Sequence, residues 1–342
     1  VRIGLVAPPW IPVPPPAYGG TEAVVDILAR GLSAAGHEVL LAAAFGSTCP
    51  VAKIPGPAPA DGSRIGFGVD ELRHAAFAFA AMADMDIIHD HTLAGPLYRH
   101  RPGNMPMVAT AHLPFSEENH DIYQAMSADT AIVAISHHQA QSSSRIAVRR
   151  VIHHGIDTSS IPVGAGDGGY ASFLGRMDPG KGLPEAIEAA RLAGVPLRIG
   201  AKMYSAEEQD YYSDVIAPML GPGVEYLGEL NATEKYSLLG RSVALLNPIQ
   251  WSEPFGMAMI EALATGTPVV ATHRGSAPEI VSEGATGYLG TTPLELADAL
   301  IAAATLDRGA CRDAAETYFS AERMVAEHLA LYEELLSGQQ PS

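Results

Sequence analysis

The chain has 342 residues, and 38 Asp and Glu against 21 Lys and Arg leave a formal charge of −17. With 47% hydrophobic and 17% charged residues it can build sizeable cores, which excludes global disorder, and its length predicts two domains. The acidic balance excludes a nucleic acid or an anionic membrane surface as partner, and leaves a small local basic pocket open.

Arg2–Ala7 already reads as a buried strand, so no signal peptide is expected ahead of it. Further strands are predicted at Glu38–Ala43, Asp86–His89, Met107–Ala111, Thr130–Ile135 and Val151–His153. They are continuous apolar runs rather than alternations, the pattern of strands covered on both faces. Gly20–Ala35 reads as a helix with Ala23, Val24, Ile27, Leu28 and Leu32 on one face and Gly36 at its stop. Ala75–Ala83, the longest Ala-rich stretch, is too short to span a bilayer and reads as a packed helix. Ser159–Gly169, rich in Gly, Ser and Pro, reads as a linker and hinge.

The pattern then restarts. Strands are predicted at Tyr170–Leu174, Leu197–Ala201, Val224–Leu227, Val243–Asn247 and Pro268–Ala271, with helices at Pro184–Ala193, Ala206–Leu220, Thr233–Gly240 and Met257–Thr265. From Leu294 on only helices are expected. Strands alternating with helices imply right-handed crossovers and mostly parallel sheets, so the fold class is α/β with two doubly wound halves. Such halves would hold their ligands at the carboxyl ends of the strands, in a cleft. Cys49 and Cys311 lie far apart, which fits a reducing, cytoplasmic setting rather than a disulfide framework.

Several motifs carry little. Gly164-Ala165-Gly166-Asp167-Gly168-Gly169 satisfies G-x-G-x-x-G, but a strand rather than a helix follows it, so it is not read as a dinucleotide fingerprint. His89-Asp90-His91, His137-His138 and His153-His154 bring no third ligand at a metal-binding spacing, and no metal is expected. Asn231-Ala232-Thr233 matches a glycosylation acceptor without a secretory context, and Arg145 with Arg149-Arg150 reads as a solvated helix end.

The segment from Glu253 to Val270 carries the chemistry. A strand ends at Asn247, a loop brings Trp251 and Glu253, and a helix starts near Gly256 and stops at Gly266. Gly256 lets a ligand approach closely, and the N–H groups around Met257 and Ala258 form an anion site suited to a diphosphate. Glu253, outside the helix, and Glu261, within it, suit sugar hydroxyls, because carboxylates accept strongly and a sugar offers several donors. The plain alternative is a surface helix with incidental acids.

The E-x7-E spacing of Glu253 and Glu261, with Pro-Phe-Gly after the first Glu, resembles the retaining nucleotide-sugar glycosyltransferases of the glycogen synthase/sucrose synthase type, family 4. Five more pieces follow the same family order: Tyr18-Gly19-Gly20-Thr21-Glu22, Asp86-Ile87-Ile88-His89-Asp90-His91, Ala109-Thr110-Ala111-His112, Val151-Ile152-His153-His154-Gly155-Ile156-Asp157, and Gly175-Arg176 with Lys181-Gly182. The resemblance implies the GT-B fold, two Rossmann-like domains facing across a cleft. It places an acceptor-side domain at 1–160, to which 320–342 returns, and a nucleotide-sugar domain at 161–319.

The same resemblance assigns roles. Arg176 and Lys181 would neutralise the diphosphate, Glu253 would contact the donor sugar, Glu261 would hold the ribose hydroxyls, and His112 would lie near the donor sugar. Gly19 and Gly20 would let the backbone approach phosphate or sugar, beside the binding role of Gly256, Met257 and Ala258. Neither a catalytic metal nor a cofactor is implied, only a nucleoside-diphosphate-sugar donor and a small-molecule or oligosaccharide acceptor. His154 stands where the family has Asn, Arg274-Gly275-Ser276-Ala277-Pro278-Glu279 changes the opening of a G-G-x-P-E stretch, and the acceptor-side region around Gly56–Gly68 is short. The compact Ala/Gly/Pro-rich chain resembles antibiotic-pathway members of avilamycin type. A nucleotide-sugar 2-epimerase-like isomerase on the same scaffold is the alternative.

Overall fold

The computed structural model describes residues 1–17, 19–103 and 105–338, so Tyr18 of the glycine-rich loop lies outside the described residues. The chain divides into two compact units, Val1–Gly155 with the segment from Ala321 on, and Ile156–Ser320.

The first unit is built on strands β1 (Arg2–Val6), β2 (Glu38–Phe45), β3 (Ala52–Pro59), β4 (Ile87–Asp90), β5 (Met107–Ala111), β6 (Ala131–Ala134) and β7 (Val148–Val151). They form one parallel sheet in the order β3-β2-β1-β4-β5-β6-β7. Leu5 lies in register with Leu41 on one side and His89 on the other. Helices α1 (Gly20–Ala34), α2 (Gly68–Ala81), α3 (Glu117–Met126) and α4 (His137–Gln141) connect the strands. α1 buries Val24, Val25, Leu28 and Leu32, and Gly36 in the left-handed region ends it. The C-terminal helix (Ala321–Ser337) packs against α1 so closely that a side chain on Gly31 would run into Val325.

The second unit has strands β8 (Ala171–Arg176), β9 (Leu197–Lys202), β10 (Val224–Gly228), β11 (Leu245–Asn247), β12 (Val269–Thr272) and β13 (Gly287–Gly290). Their parallel order is β10-β9-β8-β11-β12-β13, that of a dinucleotide-binding Rossmann sheet. Its helices are α5 (Leu183–Ala193), α6 (Ala206–Tyr211), α7 (Ala232–Arg241), α8 (Met257–Ala264), α9 (Ala277–Ile280), α10 (Pro293–Ala303) and α11 (Arg308–Tyr318). Phe173, Ile187, Ile199, Leu246 and Leu300 centre its core. Asn231, which opens the glycosylation-like triplet, caps α7 in a capping box with Glu234.

Three strands depart from the expected pattern. β3 was not expected at all, β7 lies ahead of the predicted Val151–His153, and β13 falls in a stretch to which no element was assigned. The predicted helix over 206–220 is α6 followed by a wider turn at Tyr212–Ile216 and a tighter one around Pro218.

The expected linker is also corrected. Ser159–Gly169 is fastened within the second unit rather than free: Gly164 N–H donates to Thr265 O, Gly166 N–H to Gly240 O and Gly168 N–H to Arg241 O. A Cβ on Gly164 would collide with the Gly240 backbone, so the glycine serves close packing. The crossing between units falls at Gly155–Ile156, because Ile156 N–H already donates to Phe319 O within the second unit.

Candidate functional site

In the second unit the strand order reverses between β8 and β11, and the loops leaving their carboxyl ends diverge there. Asp178 caps the turn after β8 by accepting from Gly180 N–H at 2.8 Å. That turn is fixed against the loop after β11: Gln250 N–H donates to Gly180 O at 2.8 Å. Gly182, with φ +70°, brings the backbone against Pro248 O, where a Cβ would not fit. The result aims Lys181 at Glu253, and the two form an ion pair with side chains 15% and 14% exposed. Two residues 72 positions apart, both expected at the site, are thus brought together.

Gly275 in the left-handed region supports Glu253 from the other side, since a Cβ there would meet the Glu253 backbone, and Ser276 N–H donates to Glu253 O at 3.1 Å. The altered Arg274-Gly275-Ser276 stretch therefore still carries the glycine this contact requires. Gly256 caps α8 without a side chain, and Met257 and Ala258 occupy its first turn, where N–H groups have no intrahelical acceptor. Glu261 projects from the next turn and accepts from Lys235 Nζ of α7 at 2.6 Å.

Arg176 ends β8, and its Nε and Nη2 reach Glu208 Oε1 at 2.8 and 2.5 Å. Burial alone would raise the Glu208 carboxyl, but the Tyr204 N–H and the Arg176 guanidinium hold it below its ordinary range. Each expected cation is thus matched by a carboxylate. Lys235 and Glu208 were missed by sequence reasoning; their only signal is position, one four residues after the Asn231 cap and the other in the Ser205–Glu208 capping box.

In the first unit Gly19 caps α1, and a Cβ there would press on Pro15. Glu22 is buried in the first turn of α1, so this helix mouth already holds a carboxylate and suits a hydroxyl donor better than a phosphate. Gly20 is the first helical residue. His112 follows β5 and is partly buried, and its Nε2 lies 2.9 Å from Nδ1 of His91, which follows β4. Burial lowers the His112 imidazole to about 3, with His328 adding to the effect. His89 lies between Tyr332 Oη at 2.6 Å and Thr110 Oγ1 at 2.7 Å, and His154 stacks on His112 with centroids 5.2 Å apart. Beside β3 a depression is lined by Trp10, Pro57, Arg64, Asp70 and Arg73, with Arg64 paired to Asp70.

Residues 18–160 match the family model described as Glycosyltransferase Family 4, and residues 163–317 match Glycosyl transferases group 1. A phosphatidyl-myo-inositol mannosyltransferase of Mycolicibacterium smegmatis is 27% identical, over 89% of this chain and 83% of its own. AviGT4, a glycosyltransferase involved in avilamycin A biosynthesis, is similar in structure with a TM-score of 0.75 at 25% identity, covering 99% of this chain and 98% of its own. A sucrose-phosphate synthase of Thermosynechococcus elongatus superposes with a TM-score of 0.81 at 19% identity, covering 98% and 99%, which speaks for the fold alone. Among the described residues no helix is long and apolar enough to cross a membrane.

Proposed function

We propose that this chain, a GT-B glycosyltransferase with both halves matched by glycosyltransferase families, transfers a sugar from a nucleoside diphosphate to an acceptor hydroxyl with retention at the anomeric carbon. The observation that carries this reading is the Lys181–Glu253 pair at the switch point of the Rossmann sheet, beside the open first turn of α8. Diphosphate oxygens seated on the N–H groups of Met257 and Ala258 compete for Lys181, and Glu253 is then released to accept from sugar hydroxyls. Arg176 uses two of its five N–H donors on Glu208 and keeps others for the phosphates. Glu261, oriented by Lys235, accepts from the ribose hydroxyls.

As the bond from the anomeric carbon to the phosphate oxygen breaks, charge develops on the leaving diphosphate, and Lys181, Arg176 and the helix amides stabilise it without a divalent cation. The acceptor oxygen bonds the anomeric carbon from the same face, and its proton passes to the leaving phosphate oxygen. In the first unit Gly19 and Gly20 with the buried Glu22 form a helix mouth suited to a sugar hydroxyl, and His112 is the proposed sugar contact. The likeness to AviGT4 supports an oligosaccharide or other small-molecule acceptor of antibiotic type, with the depression at Trp10 and Arg64 on the acceptor side.

A panel of UDP, GDP and dTDP sugars, with product analysis by NMR in EDTA, tests the reading. Transfer with an unchanged anomeric configuration is expected. An inverted product, a strict metal requirement, or sugar interconversion without an acceptor would each overturn it, the last in favour of an isomerase.

A further inference from the structure

The buried histidines of the first unit are not all accounted for by sugar binding. His89 on β4 and His91, the residue just after that strand, share one face, with ring centroids 4.2 Å apart. His91 is 4% exposed, and its main chain is fixed by donating to Val6 O at 2.9 Å. Its Nδ1 meets His112 Nε2 at 2.9 Å, whereas its Nε2 is buried with no hydrogen-bond partner among the described residues.

One proton lies between Nδ1 of His91 and Nε2 of His112, and there are two ways to place it. If His112 donated, His91 would carry its own proton on Nε2, leaving a buried N–H without an acceptor. Orphaned buried N–H groups are rarer than underused acceptors. If His91 donates from Nδ1, its bare Nε2 loses only a lone-pair contact. His112 must then accept at Nε2 and carry its proton on Nδ1. We propose that His91 is a positioning residue that holds His112 as the Nδ1–H tautomer, so that His112 offers a bound sugar a neutral hydrogen-bond donor rather than a base.

The surroundings favour neutrality. His89 on the same strand end, His328 on the C-terminal helix and His154 beside His112 face this pair and oppose a further positive charge, while Arg323 of that helix acts in turn on His154 and His328. His328 itself donates from Nδ1 to Met324 O at 2.8 Å, again leaving Nε2 bare. His89 has a hydroxyl at each nitrogen, which steadies the ring against which His91 packs. The inference rests on the reading of His112 as a sugar contact for its function, but not for the tautomer itself.

The test uses the full chain with 15N-labelled histidine, read by long-range 1H–15N correlation, alongside kinetics. Wild-type His112 should show the proton on Nδ1. His91→Leu removes the donor and should lower kcat about 10–100-fold while leaving the KM for donor much closer to wild type. His91→Asn places an amide N–H near the position of Nδ1 and should restore the tautomer and most of kcat. An Nε2–H tautomer in the wild type, or an unchanged kcat in His91→Leu, overturns the proposal. If His91→Leu does not fold, the wild-type tautomer together with His91→Asn decides. Absence of transfer with every donor would remove the glycosyl-transfer reading, while the tautomer measurement would still judge the role of His91.

Discussion

Lys181 is held in two roles at once. It stabilises the folded site by neutralising Glu253 in a largely buried pair, and in the proposed reaction it is the cation that the diphosphate recruits. Lys181→Ala is therefore expected to lower kcat about 100- to 1,000-fold, the scale of losing one preorganised charge-stabilising group, in steady-state transfer assays. Glu261 differs in the proposed reaction, because the ribose hydroxyls it would hold do not change as the bond breaks. Glu261→Gln should raise the KM for donor about tenfold with little change in kcat, the pattern of uniform binding. Motif spacing singled out Glu253, Glu261, Arg176 and Lys181, since each lies on a strand end, or on the loop or helix that follows one, which local pattern marks. Their partners Glu208 and Lys235 were invisible, because a contact between residues 26 or 32 positions apart depends on how α6 and α7 pack, not on any local period.

At the scale of elements, the strands missed or displaced share a place. β3 and β7 are the two edges of the first sheet and β13 is an edge of the second. An edge strand need not be covered on both faces and tolerates proline and charge. Pro55, Pro57 and Pro59 in β3, Arg149 and Arg150 in β7, and two glycines in β13 all break the apolar run by which a strand is read. The central strands, buried on both sides, were legible as apolar runs. The turn after β8 tests how far an element shapes the site. Gly182→Ala meets both a positive φ and Pro248 O, and should cost about 1–3 kcal/mol in urea unfolding while also lowering activity by displacing Lys181. Arg308 of α11 does comparable work for the misread linker. It donates to the carbonyls of Gly164, Gly240, Ser242 and Thr265 and to the Thr267 hydroxyl. Arg308→Ala should lower stability by about 2–4 kcal/mol in the same measurement, by stranding those acceptors.

The whole molecule should be acid-sensitive through its first unit. Burial holds His89, His91 and His154 well below their ordinary value, and lowers His112 to about 3 and His328 to about 4. Each is neutral when folded and takes up a proton when unfolded, so its contribution is complete above the unfolded value of about 6.5 and is lost as pH falls below it. Asp90, pushed up to about 7 by burial, and Glu71, raised for the same reason, act in the opposite direction as pH rises from the ordinary carboxylate range. With His74, which burial lowers as well, six histidines outweigh two carboxyls. Urea midpoints should therefore fall steadily from pH 6.5 to pH 5, with each histidine contributing at most about 1.4 kcal/mol per pH unit. A flat profile would contradict the buried cluster.

The C-terminal helix packs on α1 and supplies His328 and Tyr332 to that cluster, yet it is made after the entire second unit. During synthesis the second unit can mature as an uninterrupted stretch of nascent chain, while the first waits, with His89 lacking its Tyr332 partner, until Ala321–Ser337 has emerged. A premature stop just before Ala321 would thus spare the later-made unit and strand the earlier-made one, reversing the usual rule that truncation harms what is nearest the cut.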